Sequence, residues 1–243
     1  MNIIKIVLIS ALSLLVLING NAASNPDCVI LLHGLIRSHY SMSMLASTLT
    51  KHHYVVINDS YPSTKRSIKE LSQTYIPSVI DKCLKANPRH IHFIAHSLGG
   101  IILQKYLQNN KVPKLDRIVM LGPPNHGSPL ANIAAKNKMI RLLFGPSVQE
   151  LTTSKKDIPL LQDHYKIGII AGNASINVLG PFIFKEPNDG VVPVSSTKMK
   201  HMDDFIILPV THPFLMRNKI VAAQILSFLT KGHFCTQACP PRV

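Results

Sequence analysis

The chain has 243 residues, 46% of them hydrophobic, which suits one domain with a sizeable core. Its formal charge of +14, without a sustained basic run or a recognition motif, argues against nucleic acid and fits an anionic membrane surface, or serves solubility alone. No repeat, low-complexity tract or linker divides the sequence.

The first residues follow a different logic. Lys5 is the only charge before Asp27, and Ile6 to Ile18 is an apolar run interrupted only by serines. Asn19, Gly20, Asn21, Ala22 and Ala23 then bring small and polar residues. This pattern predicts a signal peptide over residues 1–22, cut after Ala22, with residues 23–243 as the exported chain, periplasmic or extracellular. The alternative is an uncleaved anchor, but the run is shorter than the ~20 residues that span a bilayer.

Residues 28–33, Cys-Val-Ile-Leu-Leu-His, read as a short buried strand that Gly34 stops. A helix through Leu49 follows, with Met42, Leu45, Ala46 and Leu49 on one face. Tyr54 to Asn58 is a second strand. Ile68 to Lys85 supports a helix that Pro77 should bend or divide. A strand at Ile91 to Ala95 leads to a helix at Leu98 to Tyr106, and Leu115 to Leu121 is the next strand. The intervals 122–166 and 172–204 break the rhythm and read as active-site-like turns, the first with room for a small lid insertion. Within that first interval Leu142, Leu143 and Phe144 form either an acyl-binding surface or core. Strands at Ile167 to Ala171 and Phe205 to Val210 and a helix at Phe214 to Leu229 complete the series. Apolar strands alternating with helices predict an α/β fold, a mostly parallel central sheet flanked by helices.

Four cysteines in an exported chain allow three complete pairings. Cys28 starts a strand and Cys83 ends the helix before the next one, so both can fall at the N-terminal edge of a parallel sheet. Cys235 and Cys239 lie close together in a short C-terminal tail. The favoured disulfides are Cys28–Cys83 and Cys235–Cys239.

The strongest chemical signal is Ala95-His96-Ser97-Leu98-Gly99-Gly100, directly after Ile91-His92-Phe93-Ile94. A serine between a buried strand and a helix start, followed by glycine, projects its hydroxyl from a sharp turn. Alanine replaces the first glycine of G-x-S-x-G, and it is small enough for the same turn. The competing interpretation of the pentapeptide is a serine that only caps the helix.

On these residues the sequence resembles the lipase and esterase branch of the α/β-hydrolase family, in particular small bacterial lipases whose elbow begins with alanine. Other blocks carry the resemblance too. They are Leu31-Leu32-His33-Gly34-Leu35, Gly122-Pro123-Pro124-Asn125-His126-Gly127-Ser128-Pro129, Asp189-Gly190-Val191-Val192-Pro193 and Thr211-His212-Pro213. That fold implies a general base beyond the last strand, where His212 stands; His201 is the rival. The acid should precede the base in sequence. Asp189, beside Gly190, fits the order Ser97, Asp189, His212 better than Asp203 or Asp204, which start the last strand. Backbone N–H groups of Leu98 and Leu35 are the expected oxyanion donors, the second implied by the resemblance. His33 should shape that turn, and His126 either lines the pocket or is an ordinary loop residue.

The expected reaction is hydrolysis of an acyl ester or lipid substrate through an acyl-enzyme. No cofactor or catalytic metal is expected, and the sequence has no P-loop, dinucleotide fingerprint or HExxH motif. The triad alone does not separate an ester from a thioester, or hydrolysis from acyl transfer. A non-catalytic exported binder of lipid or polysaccharide on the same scaffold is the alternative of another class. Nothing in the sequence specifies an oligomeric state.

Overall fold

Six strands form one parallel sheet in the computed structural model, which describes residues 25–153, 160, 164–175 and 183–235. They are β1 (Cys28–Leu32), β2 (Val55–Ile57), β3 (Ile91–His96), β4 (Leu115–Leu121), β5 (Lys166–Gly172) and β6 (Asp204–Leu208). Their spatial order is β2-β1-β3-β4-β5-β6, and every strand pairing is parallel. The α/β reading of the sequence is therefore the architecture of the chain.

Both faces of the sheet are covered, which is why the strands are continuously apolar. Successive side chains point to opposite faces. Val29, Leu31, Ile94, Val119 and Leu121 pack with helix α1 (Ser43–Lys51) and the last helix, Lys219–Lys231. Ile30, Leu32, Phe93, Ala95, Ile118 and Met120 pack with α2 (Ile68–Lys85) and α3 (Leu98–Leu107).

Helix α2 runs unbroken through Pro77, so no second segment begins there. A proline in a helix interior deletes one hydrogen bond and costs about 3 kcal/mol. Two features offset this cost. Ser67 and Glu70 close a capping box, and Leu71, Ile76, Val79 and Ile80 are buried against the sheet. The final helix also differs from its predicted span. His212–Arg217 forms a 3-10 helix, and the α-helix starts only at Lys219. Asn218 separates them with an extended backbone, its side chain accepting from the Ile220 and Val221 N–H groups.

The interval 122–166 carries short helices at Pro129–Lys136, Lys138–Phe144 and Ser147–Glu150. They dock on the connection between β2 and α2. Ser147 Oγ donates to the Arg66 carbonyl at 2.8 Å, and Ile68 N–H donates to Glu150 Oε1 at 2.9 Å. Leu142 and Leu143 are 85% and 68% exposed, so they are not core, whereas Phe144 packs against it.

At the opposite edge of the sheet, Cys28 and Cys83 are joined by a disulfide, their Cα atoms 6.0 Å apart. Both are fully buried. Cys239, and with it the expected Cys235–Cys239 bridge, lies outside the described residues, as does the predicted signal peptide.

Candidate active site

Ser97 alone turns the chain from β3 into α3. Its φ is 53° and its ψ −120°, a conformation that costs a non-glycine residue about 1–3 kcal/mol and persists only when its surroundings enforce it. They do. Ser97 N–H donates to the Leu121 carbonyl at 2.9 Å, and Gly100 N–H donates to the Ser97 carbonyl at 3.0 Å. Gly99 lets the helix start press on β1, since a Cβ there would lie 2.7 Å from the Leu32 carbonyl oxygen. The Ala95 methyl, by contrast, is fully buried within the apolar core beneath the turn. The alanine that replaces the usual glycine is thus packed rather than strained.

His212 meets Ser97 from the loop after β6. Its Nε2 lies 2.9 Å from Ser97 Oγ, and its Nδ1 lies 2.6 Å from Asp189 Oδ2. All three residues are buried. The other Asp189 oxygen accepts from the Val191 and Val192 N–H groups at 3.0 and 2.7 Å, which fixes the carboxylate plane. The His212 backbone is held from both sides. Its N–H donates to the Asp189 carbonyl at 2.8 Å, and its carbonyl lies 3.1 Å from His96 Nε2. Hydroxyl, imidazole and carboxylate therefore form one hydrogen-bonded chain at the C-terminal edge of the sheet, where ligands bind in open α/β sheets. Such a chain can pass the serine proton to the imidazole and stabilise the imidazolium.

Asp203 and Asp204 are not part of it. Asp203 Oδ2 accepts from Ile167 N–H, and Asp204 Oδ2 accepts from Phe234 N–H, both at the far edge. His201 is exposed on the approach to β6. His126 is half-buried in the turn after β4, its N–H donating to the Ser196 carbonyl at 3.1 Å.

The turn after β4 supports the Asp189–His212 pair closely. Gly122 has φ 54°, and a Cβ there would lie 3.0 Å from Asp189 Oδ2 and 3.1 Å from His212 Nδ1. Gly122→Ala should lower kcat about ten- to a hundredfold by displacing that pair, as sub-ångström misplacement does, with KM little changed; steady-state kinetics beside a melting curve checks it. Farther along the turn, Gln104 Nε2 donates to Asn125 Oδ1 at 2.6 Å, and Asn125 Nδ2 donates to the Thr197 carbonyl at 2.7 Å. Ser128 Oγ donates to the Val191 carbonyl at 2.6 Å. These buried bonds tie the turn after β4 to the loop that carries Asp189. Asn125→Ala should cost about 1–3 kcal/mol, because it leaves both partners unsatisfied; urea unfolding measures this.

The loop after β1 is organised by His33, which is fully buried. His33 Nδ1 donates to the Gly34 carbonyl at 2.8 Å, while Nε2 accepts from Tyr61 N–H at 3.1 Å. Tyr61 stacks on the ring with centroids 3.9 Å apart, and its hydroxyl donates to the His33 carbonyl. Both ring nitrogens are committed in the neutral form, and burial lowers the pKa to about 4. The unfolded chain therefore takes up a proton at His33 that the folded chain refuses. Stability should fall as pH drops from about 6.5 towards 4, by on the order of 2 kcal/mol at pH 4.5 from this residue, readable as a falling urea midpoint. Downstream of His33, the Leu35 N–H has no acceptor among the described residues, and neither has the Leu98 N–H.

His96 is the site residue that sequence reasoning missed. It is buried against His212, with ring centroids 4.7 Å apart. Burial, and then the neighbouring His212, push its pKa well below the usual value, so it is a neutral donor to the His212 carbonyl. Its adjacency to Ser97 was the available signal. Among the described residues no group of three or more His, Cys, Asp or Glu side chains could hold a metal ion.

Comparison with known proteins agrees with this architecture. Residues 27–143 match the family model of the alpha/beta hydrolase fold. No curated protein matches the chain in sequence. Among solved structures, mature Bacillus licheniformis lipase BlEst2 superposes with a TM-score of 0.67 at 19% identity, covering 86% of this chain and 92% of that one. Phospholipase PlaB from Legionella pneumophila gives a TM-score of 0.63 at 18% identity, over 85% of this chain and 57% of that one. Carboxylesterase CesB from Bacillus subtilis gives 0.53 at 14% identity, over 84% of each.

Proposed function

We propose, from the premise that this chain is an α/β hydrolase by fold, that it is a serine hydrolase of carboxylic esters, with lipid or other acyl esters as substrates. The observation that carries this reading is the chain of contacts from Ser97 Oγ to His212 Nε2 at 2.9 Å and from His212 Nδ1 to Asp189 Oδ2 at 2.6 Å. His212 removes the Ser97 proton as the hydroxyl attacks the ester carbonyl. The Leu35 and Leu98 amides donate to the oxyanion, aided by the N-terminus of α3. His212 then protonates the leaving alcohol. Water, deprotonated by His212, attacks the acyl-Ser97 ester and releases the carboxylic acid. Asp189 orients the ring and stabilises its charged form throughout.

The buried Cys28–Cys83 disulfide supports an exported, oxidising setting for the enzyme, periplasmic or extracellular. Among the described residues no helix is long and apolar enough to cross a membrane.

A graded series of aryl acyl esters, assayed beside Ser97→Ala, tests the ester reading and its substrate class. Rates that rise with chain length, above all past the substrate's aggregation point, indicate lipid esters. A preference for short chains indicates a soluble ester. Hydrolysis of none of them by folded protein would remove simple esterase chemistry and return a binding role on this scaffold.

A further inference from the structure

Exposed apolar side chains border the edge of the sheet that carries Ser97. Helix Lys138–Phe144 presents Met139, Leu142 and Leu143, which are 75%, 85% and 68% exposed. Ile36, next to the Leu35 amide, is 56% exposed. The two groups are linked. Ile36 N–H donates to Ser63 Oγ at 3.1 Å, and the next residue, Thr64, packs directly on Gly145, which follows Phe144. A grouped apolar surface of this kind marks an interaction site, whereas single exposed apolar residues do not.

The charge around these residues is mostly positive: Glu70 pairs with Arg66, Asp59 pairs with Lys82, and Glu150 accepts from the Ile68 N–H. The sequence holds no Asp or Glu from Cys28 to Asn58, and none from Gly122 to Gln149. Arg37, Lys65, Lys136 and Lys138 are all exposed in or beside those segments. We infer that this face seats the protein on an anionic phospholipid bilayer, with Leu142, Leu143 and Met139 entering the acyl boundary and the cations among the headgroups. Both terms act together in surface-bound helices: apolar area enters the interface, and each lysine or arginine near an anionic surface adds attraction. The cations decide between occupants. A second copy docked through the same face would bring like charges together, and a neutral apolar partner would leave them unmatched. The inference rests on the hydrolase reading for its consequence, which is to set the Ser97 edge against a lipid substrate.

The test is co-sedimentation of the purified protein with vesicles of phosphatidylglycerol and phosphatidylcholine, and with phosphatidylcholine alone. The parent is compared with Leu142→Gln/Leu143→Gln and with Lys136→Gln/Lys138→Gln in the same N-terminal form, so any binding by the N-terminus cancels. The expected result is binding to the anionic vesicles that weakens in salt and falls about tenfold or more in each variant. Variants that bind like the parent, or equal binding to both vesicle types, overturn the inference. So does a dimer on gel filtration that Leu142→Gln/Leu143→Gln dissociates, which makes a second copy the occupant. Phosphonate labelling of Ser97 in the parent without vesicles reads the hydrolase proposal separately. Labelling without binding removes only the surface, and binding without labelling removes only the chemistry.

Discussion

Ser97→Ala will lower kcat/KM by at least about 10⁴-fold on any aryl ester that the parent cleaves, while the protein stays folded. A nucleophile acting with its base as one unit leaves little chemistry when removed, because the remaining donors only polarise the carbonyl for water. Stability should change little or rise. Alanine keeps the Ser97 N–H bond to the Leu121 carbonyl and loses only the hydroxyl contact to His212. Asp189→Asn should fall almost as far. One Asp189 oxygen accepts from the Val191 and Val192 N–H groups and the other from His212, so the amide NH2 of asparagine must confront one of these donors. Either the loop loses an acceptor or the imidazole takes the wrong tautomer. Equal activity in parent and Ser97→Ala would assign hydrolysis to another group or to a contaminant.

The second large effect concerns the far edge of the sheet. Replacing Cys28 and Cys83 by alanine should destabilise the protein by roughly 4 kcal/mol, from the loop-closure entropy of a bridge between residues separated by 55 positions. That is a large share of the 5–15 kcal/mol typical of a domain. Both sulfurs are buried where α2 meets β1, so the bridge links the first strand to the helix that covers it. Guanidinium unfolding of the double variant should show a lower midpoint. The same kcat/KM is expected wherever the variant remains folded, because the disulfide lies across the sheet from Ser97.

Much of this arrangement is legible in the sequence because each signal is local. The Val, Ile and Leu runs of β1, β3, β4 and β5 are buried on both faces and admit few other assignments. Ser97, Asp189 and His212 each follow one of those strands or β6, so chain order alone brings them to one edge. Features set by tertiary contacts are less legible. Pro77 argues locally for a break, but the apolar face of α2 outweighs one missing hydrogen bond. The start of the last helix shifts to Lys219 because Asn218 caps it, an effect outweighed in the sequence by the apolar residues at 214–216. Leu142 and Leu143 look like core by composition and stand in solvent, because the helix that carries them docks through its neighbours. His96 shows its place beside Ser97 in the sequence, but not its role. That role depends on the His212 carbonyl, 116 residues away in sequence.

The most direct measurement is intact and peptide mass spectrometry after treatment with a fluorophosphonate. One adduct per chain is expected, on Ser97, absent from Ser97→Ala and strongly slowed in His212→Ala. A folded, disulfide-intact protein that takes no adduct, or takes it on another residue, would contradict the claim that Ser97 is an activated nucleophile.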